Sequence, residues 1–237
     1  MLSEQELNEL AIKLQGGFVN VAREYAQNLF LDHFYSFKDA GSILFKGGTA
    51  LRILYKSPRF SEDLDFSTKS INKKLIEDLL QDTCEKLDQE GMKVDILESK
   101  ATSGGYICIL VFRVGEHKFN ISIEISGRKN KISGDIILVD NPYIPAYTVM
   151  ALKKDELISE KIEALIDRKK PRDYFDLYFM LRADLLPDKK VLKQLSPMIK
   201  ATKIDFKKEL REFLPQGHQN IIKDLKKILG AEVGRYV

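Results

Sequence analysis

The spacing of hydrophobic positions changes along the chain. Over the first 37 residues they recur every three to four positions, as in Phe18, Ala22 and Tyr25, which predicts helix. Further on, period-two alternation and short apolar runs predict strands at 43–45, 63–66, 93–97, 106–114, 118–126 and 136–139, with one helix at 70–90 between them. Gly115 to His117 is expected to be the hairpin turn between two of these strands.

Strand patterns end in the sequence after Pro142 and Pro145, and helical spacing resumes. Helices are predicted at 155–168, 172–182, 189–200, 205–213 and 220–229. The sequence therefore predicts an α+β protein in which residues 1–145 form a mixed sheet with flanking helices and residues 146–237 form a helical domain.

Composition is that of a soluble globular protein, with 44% hydrophobic and 31% charged residues. The longest apolar run, 106–112, is far too short to span a bilayer, so we expect no membrane association. Cys84 and Cys108 fit free thiols in a reducing compartment, and we expect the protein to be cytoplasmic.

Charge is distributed unevenly. Residues 1–145 hold 18 Lys and Arg against 21 Asp and Glu, whereas residues 146–237 hold 20 against 14. A net charge of +6 on the C-terminal part suits a polyanionic partner. Solvated helix faces explain the same numbers, and composition alone favours that simpler explanation.

The segment Lys46-Gly-Gly-Thr-Ala-Leu-Arg52 runs from a predicted strand through two glycines into a predicted helix. Glycines let a backbone approach a phosphate closely, and a new helix presents free N–H groups to it. Taken alone, the pair is more often ordinary turn chemistry.

Three carboxylates follow on predicted strands. Asp63 and Asp65 share one strand face, where they repel each other unless a cation such as Mg²⁺ is bound. Glu124 lies mid-strand on a polar face, opposite Ile123 and its apolar neighbours. Two metal ions held by such residues can serve phosphoryl transfer. An acidic edge strand and an exposed glutamate are the alternatives.

A basic face is predicted near residue 165. Lys161 and Arg168 fall on one side of a helix, and after Pro171 a new helix begins with Arg172 and Asp173 in its first turn. The two cations could neutralise a triphosphate while Asp173 orients them. A lattice of surface salt bridges is the alternative.

Residues 46–66, KGGTALRILYKSPRFSEDLDF, resemble the signature of the AbiEii/AbiGii toxin family of nucleotidyltransferases, within the polymerase-β-like superfamily. Residues 160–179, EKIEALIDRKKPRDYFDLYF, resemble the second block of that family. The resemblance implies a nucleotidyltransferase fold for residues 1–145. It also implies metal binding by Asp63, Asp65 and Glu124, phosphate binding by Gly47, Gly48 and Thr49, and a supporting set of Lys161, Arg168, Arg172 and Asp173.

The activity implied by the resemblance is Mg²⁺-dependent transfer of a nucleotide from a nucleoside triphosphate to an acceptor hydroxyl. The acceptor would be a tRNA 3′ end or a protein. The biological role would be the toxin of a toxin–antitoxin or abortive-infection pair, with a cognate antitoxin as partner. Two alternatives stay open: a small-molecule nucleotidyltransferase of the resistance type, and a binding protein that keeps the fold without catalysis.

Overall fold

The computed structural model describes residues 1–127 and 132–236. Within them the chain forms one seven-stranded mixed sheet in the order β3-β4-β5-β2-β1-β7-β6. The strands are β1 Ile43–Lys46, β2 Leu64–Thr68, β3 Lys93–Thr102, β4 Gly105–Val114, β5 His117–Gly127, β6 Gly134–Val139 and β7 Tyr147–Leu152. The predicted mixed α+β class is confirmed.

Nine α-helices lie within the described residues. They are α1 Glu4–Lys13, α2 Phe18–Ser36, α3 Gly47–Tyr55, α4 Lys73–Gln89, α5 Lys154–Arg168, α6 Pro171–Arg182, α7 Lys189–Ala201, α8 Lys207–Phe213 and α9 Ile221–Gly234. Short 3₁₀ turns cover Lys38–Ser42 and Gln216–His218. Each described helix is too short or too polar to cross a lipid bilayer.

Local sequence chemistry sets several element boundaries. Ser3 and Glu6 form the expected capping box at the start of α1. Pro171 occupies the first turn of α6, where its missing N–H costs nothing. Gly115, with φ of 56°, makes the predicted turn between β4 and β5, which pair from Val114 with His117 onward.

The two faces of the central strands differ in polarity. Phe45, Leu64, Phe66 and Ile123 are fully buried on the face that forms the core beneath the N-terminal helices. On the opposite face, alternation leaves the polar side chains of β1, β2 and β5. The sheet register aligns these polar positions into a row, which creates the site described below.

The expectation that strands cease after Pro145 is wrong, because β7 follows directly at Tyr147–Leu152. It pairs parallel to β1, with Phe45 opposite Ala151, and antiparallel to β6. The two prolines obscured a strand whose partners lie about a hundred residues away in sequence or across the preceding loop. The sheet therefore extends past residue 145, and a division into 1–145 and 146–237 stays a prediction.

The C-terminal part is helical after β7, as predicted, and its helices pack on one another. Helix α5 packs on α6, and α6 in turn contacts α8 and α9. One connected hydrophobic core includes both sheet residues such as Phe66 and helical residues such as Leu229. This continuity holds α5 and α6 in a defined position relative to the sheet.

Candidate active site

Two carboxylates meet on adjacent strands. Strand β2 runs parallel to β5, and the register sets Asp65 directly beside Glu124. Asp63 lies one residue before β2 begins at Leu64. The sequence-based expectation that a neighbouring strand would bring Glu124 to the aspartates therefore agrees with the sheet register.

Burial and mutual repulsion both raise pKa values in this acidic cluster. Burial, followed by the negative charge of Asp65 and then of Glu62 and Glu124, raises the pKa of Asp63 to about 6. Burial and the charge of Asp65 also raise the pKa of Glu124, although nearby Arg168 and Lys46 oppose the rise. The cluster is therefore short of positive charge in the protein alone.

A divalent cation matches this deficit in chemical terms. Carboxylate oxygens are the donors that Mg²⁺ prefers, and a bound cation would relieve the repulsion between Asp65 and its neighbours. Across residues 1–127 and 132–236, however, no three or more His, Cys, Asp or Glu side chains are grouped so as to hold a metal. The donor chemistry fits the ion, while the side chains have not converged on one point.

The glycine pair packs closely against the acidic cluster. Gly47 has φ of +83°, and a Cβ built there would be 2.0 Å from Asp65 Oδ2. A Cβ on Gly48 would lie 2.8 Å from Ser61 Oγ and 3.5 Å from Lys161 Nζ. Only glycine fits at the first position, so the loop backbone directly adjoins both the carboxylates and a lysine ammonium.

Two buried polar side chains hold the backbone that leads to Asp63. The Thr49 hydroxyl, fully buried, donates to the Asp63 carbonyl oxygen. Gln27 Nε2, on α2, donates to the carbonyls of Ser61 at 3.1 Å and Glu62 at 2.9 Å. Thr49 was expected to contact phosphate, but its hydroxyl is committed to this contact, which leaves only its backbone N–H for that role.

Lys161 belongs to a buried charged triad. Its Nζ donates to Asp176 Oδ2 at 2.8 Å. The Arg59 guanidinium donates to both oxygens of the same carboxylate, at 2.8 and 2.9 Å. Burial alone would raise the pKa of Asp176, but the two cations outweigh it and hold the pKa below its ordinary value. The triad ties the loop before β2 to α5 and α6.

Asp173 orients only one of the two cations assigned to it. It accepts from Arg168 Nη2 at 2.7 Å and from the Lys170 backbone N–H at 3.1 Å. Asp176, one turn later, takes the role expected of Asp173 toward Lys161. Arg172 contacts Glu209 at 3.5 Å, and its charge also lowers the pKa of Asp63.

Sequence reasoning missed Arg59 and Gln27. Arg59 lies within residues 46–66, which carry the family resemblance, four positions before Asp63, so that segment offered a usable signal. Gln27 lies in the middle of a long buried helix, 34 residues from Ser61, and no local pattern distinguishes it. Only the packing of α2 against the loop identifies it.

Two clefts meet at the polar row of the sheet. One, of about 300 Å³, lies beneath α5 and includes Gly47, Lys161 and Arg168. The other, of about 330 Å³, lies over β4 and β5 and includes Glu124 and Ser126. Lys46 and Asp65 line both. Asp65 therefore borders both clefts.

Known structures contain the same fold. One of the solved structures that share it is JHP933 from Helicobacter pylori, with a TM-score of 0.68, 18% identity and 93% of each chain covered. Another is a "putative nucleotidyltransferase" from H. pylori, with a TM-score of 0.63 and 20% identity. That match covers 99% of this chain and 96% of the other. None of the curated proteins searched matches the sequence.

A family model matches most of the chain. It is described as "Nucleotidyl transferase AbiEii toxin, Type IV TA system", and the match covers residues 29–232. That range contains the glycine pair, the three carboxylates and the triad around Asp176. The chain therefore belongs to the AbiEii family of nucleotidyltransferase toxins.

Proposed function

We propose that this protein is a Mg²⁺-dependent nucleotidyltransferase that moves a nucleotide from a nucleoside triphosphate to an acceptor hydroxyl. The observation that carries the proposal is the pairing of Asp65 with Glu124, directly against the Gly47 backbone. This arrangement brings carboxylates and a phosphate-compatible loop within contact distance. Family membership supports the same reaction class.

The triphosphate would occupy the cleft beneath α5. Gly47 lines that cleft at the start of α3. The backbone N–H groups of Gly47, Gly48 and Thr49 would favour an anion there. Lys161 and Arg168 contribute positive charge from the opposite wall. Arg172 adds to this field and offsets charge on the leaving pyrophosphate.

Asp63, Asp65 and Glu124 are the residues that would hold Mg²⁺. When bound, the metal supplies positive charge that polarises the phosphoryl group and offsets the charge that develops in the reaction. Asp63 and Asp65 would share two Mg²⁺ ions. The raised pKa values of Asp63 and Glu124 support this assignment, because burial and mutual repulsion outweigh the charge of the nearby Arg168, Lys46 and Arg172.

In the reaction, the acceptor oxygen forms a bond to the α-phosphorus and the bond from that phosphorus to the β-bridging oxygen breaks. Pyrophosphate leaves, and the hydroxyl proton passes to Asp65, aided by Glu124. The acceptor would reach these carboxylates through the cleft over β4 and β5. Such transfer depends on positioning and electrostatics, so no covalent enzyme intermediate is required.

The acceptor we favour is RNA, with the 3′ end of tRNA as first candidate and a protein hydroxyl as second. Lys207, Lys208 and Arg211 line an open groove along α8. The same helix carries Glu209, which contacts Arg172. A phosphate backbone in this groove would contact the same helix that contacts Arg172 from another of its faces.

The biological role we propose is that of a toxin acting in the cytoplasm, where nucleotides and tRNA are available. A cognate antitoxin, as in a toxin–antitoxin or abortive-infection pair, would restrain it. The type IV description of the family fits such a partner.

Incubation with each α-³²P-labelled nucleoside triphosphate, Mg²⁺ and either total RNA or total protein tests the proposal. Label should enter one of the two fractions, and Asp65→Asn should abolish the transfer while the variant stays folded. Labelling that persists at the wild-type rate in Asp65→Asn would contradict the assignment. Transfer to small alcohols alone would support the small-molecule alternative instead.

A further inference from the structure

Lys46 joins two elements of the site across the open face of the sheet. Its Nζ donates to Ser126 Oγ on β5 at 3.0 Å and to Glu160 Oε2 on α5 at 2.8 Å. The Lys46 side chain is 11% exposed and that of Glu160 is 23% exposed. Because this pair is largely screened from water, it holds a more defined geometry than a surface salt bridge.

The chain positions of the two partners give this contact its significance. Lys46 directly precedes Gly47 and Gly48, and Glu160 directly precedes Lys161. A Cβ on Gly48 would lie 3.5 Å from Lys161 Nζ, so the neighbours of the ion pair are themselves close together. The pair therefore fixes the separation between the glycine loop and the turn of α5 that carries Lys161.

A second contact fixes Lys161 from another direction. Asp176, which Arg59 also contacts, accepts a hydrogen bond from its ammonium group. The pair between Lys46 and Glu160 instead holds the helix backbone from which the Lys161 side chain extends. Lys161 is thus constrained at both ends.

We propose that Lys46 is a positioning residue for the nucleotide, which acts through Glu160 to hold Lys161 over the glycine loop. This inference rests on the proposed function, since it assigns the triphosphate to the cleft between the loop and α5. It predicts that loss of the Lys46 charge impairs nucleotide binding.

Dissociation constants for the α,β-methylene analogues of ATP, GTP, CTP and UTP, measured calorimetrically with Mg²⁺, test the inference. Lys46→Met and Glu160→Gln should each raise the constant of the analogue that the wild type prefers, by roughly 10- to 100-fold as for other residues that orient a ligand-binding group. Lys46→Arg, which keeps the charge, should restore binding to within a few-fold. The matched control is Lys154→Met, which replaces an exposed lysine on α5, the helix that carries Glu160. It should leave the dissociation constant unchanged.

The double variant and thermal melting separate positioning from simple stabilisation. Lys46→Met combined with Glu160→Gln should bind nucleotide no more weakly than either single variant, because both remove one interaction. Lower melting temperatures with unchanged nucleotide affinity in both single variants would overturn the inference. A wild type that neither binds nor transfers any nucleotide would instead refute the proposed function, and the inference with it.

Discussion

Replacing Gly47 by alanine tests the close approach of the glycine loop to Asp65. The Cβ of alanine would be placed 2.0 Å from Asp65 Oδ2 and 2.7 Å from both Cβ and Cγ of the same side chain. Real Cβ atoms essentially never approach other atoms closer than 3.0 Å. The carboxylate, the loop or both must therefore move.

The size of the effect follows from two separate terms. Relief of the clash requires a shift of at least 1 Å, the difference between the 2.0 Å contact and the 3.0 Å limit. A misplacement of about 1 Å near reacting groups can slow a reaction by roughly 100-fold. The φ of +83° at Gly47 adds conformational strain of about 1–2 kcal/mol for a residue with a Cβ.

Gly91 provides a control that contains the strain without the clash. Its φ is +90°, yet a Cβ built there meets nothing within 4 Å. Gly91→Ala should lose about 1–2 kcal/mol of stability in urea unfolding and retain full transfer activity. Gly47→Ala should lose at least as much stability and, in addition, about 100-fold in kcat.

Initial rates of label transfer at saturating nucleotide and acceptor, with both variants shown to be folded by circular dichroism, provide the comparison. Equal activity of the two alanine variants would refute the reasoning. It would mean that the carboxylate of Asp65 is not needed where the Gly47 backbone confines it.

Three further outcomes are expected. Asp176→Asn should lower the free energy of unfolding by about 3–5 kcal/mol, because it leaves buried cations without their partner. A urea midpoint equal to that of the wild type would exclude this loss of stability. Lys161→Ala should weaken nucleotide binding by on the order of 1.5–3 kcal/mol, whereas Lys169→Ala, at an exposed helix end, should not. Equal losses of nucleotide affinity in calorimetry would indicate a diffuse effect of charge. Reversal of charge at Lys207 and Lys208 should raise KM for RNA without changing KM for the nucleotide, and acceptor affinity should fall steeply with salt; a flat salt dependence would favour a small-molecule acceptor.

Several features of the fold followed from the sequence because their causes are local. The capping box at Ser3 and the turn at Gly115 are set by side chains within a few residues of each other. Strand β5 was recognised from its strict alternation around Ile123. By contrast, β7 was missed because its partner β1 is distant in the sequence, and Pro145 suggested the end of the sheet.

The candidate site divides in the same way. Gly47, Asp65, Glu124 and Lys161 could be selected from the sequence because residue type and spacing indicated phosphate chemistry, and the family match covers all four. Their chemical partners could not be selected. That Lys161 is held by Asp176, and not by Asp173, depends on how α5 packs on α6.

The sequence by itself indicated the reaction class, because residues 46–66 and 160–179 resemble a nucleotidyltransferase family whose model matches residues 29–232. Only the tertiary structure decided which groups touch. The parallel pairing of β2 with β5 brings together Asp65 and Glu124, 59 residues apart in the chain, and the packing of α5 brings Glu160 to Lys46. Such contacts depend on strand order and helix packing, which arise from burial of the whole core and leave no trace in any local pattern of residues.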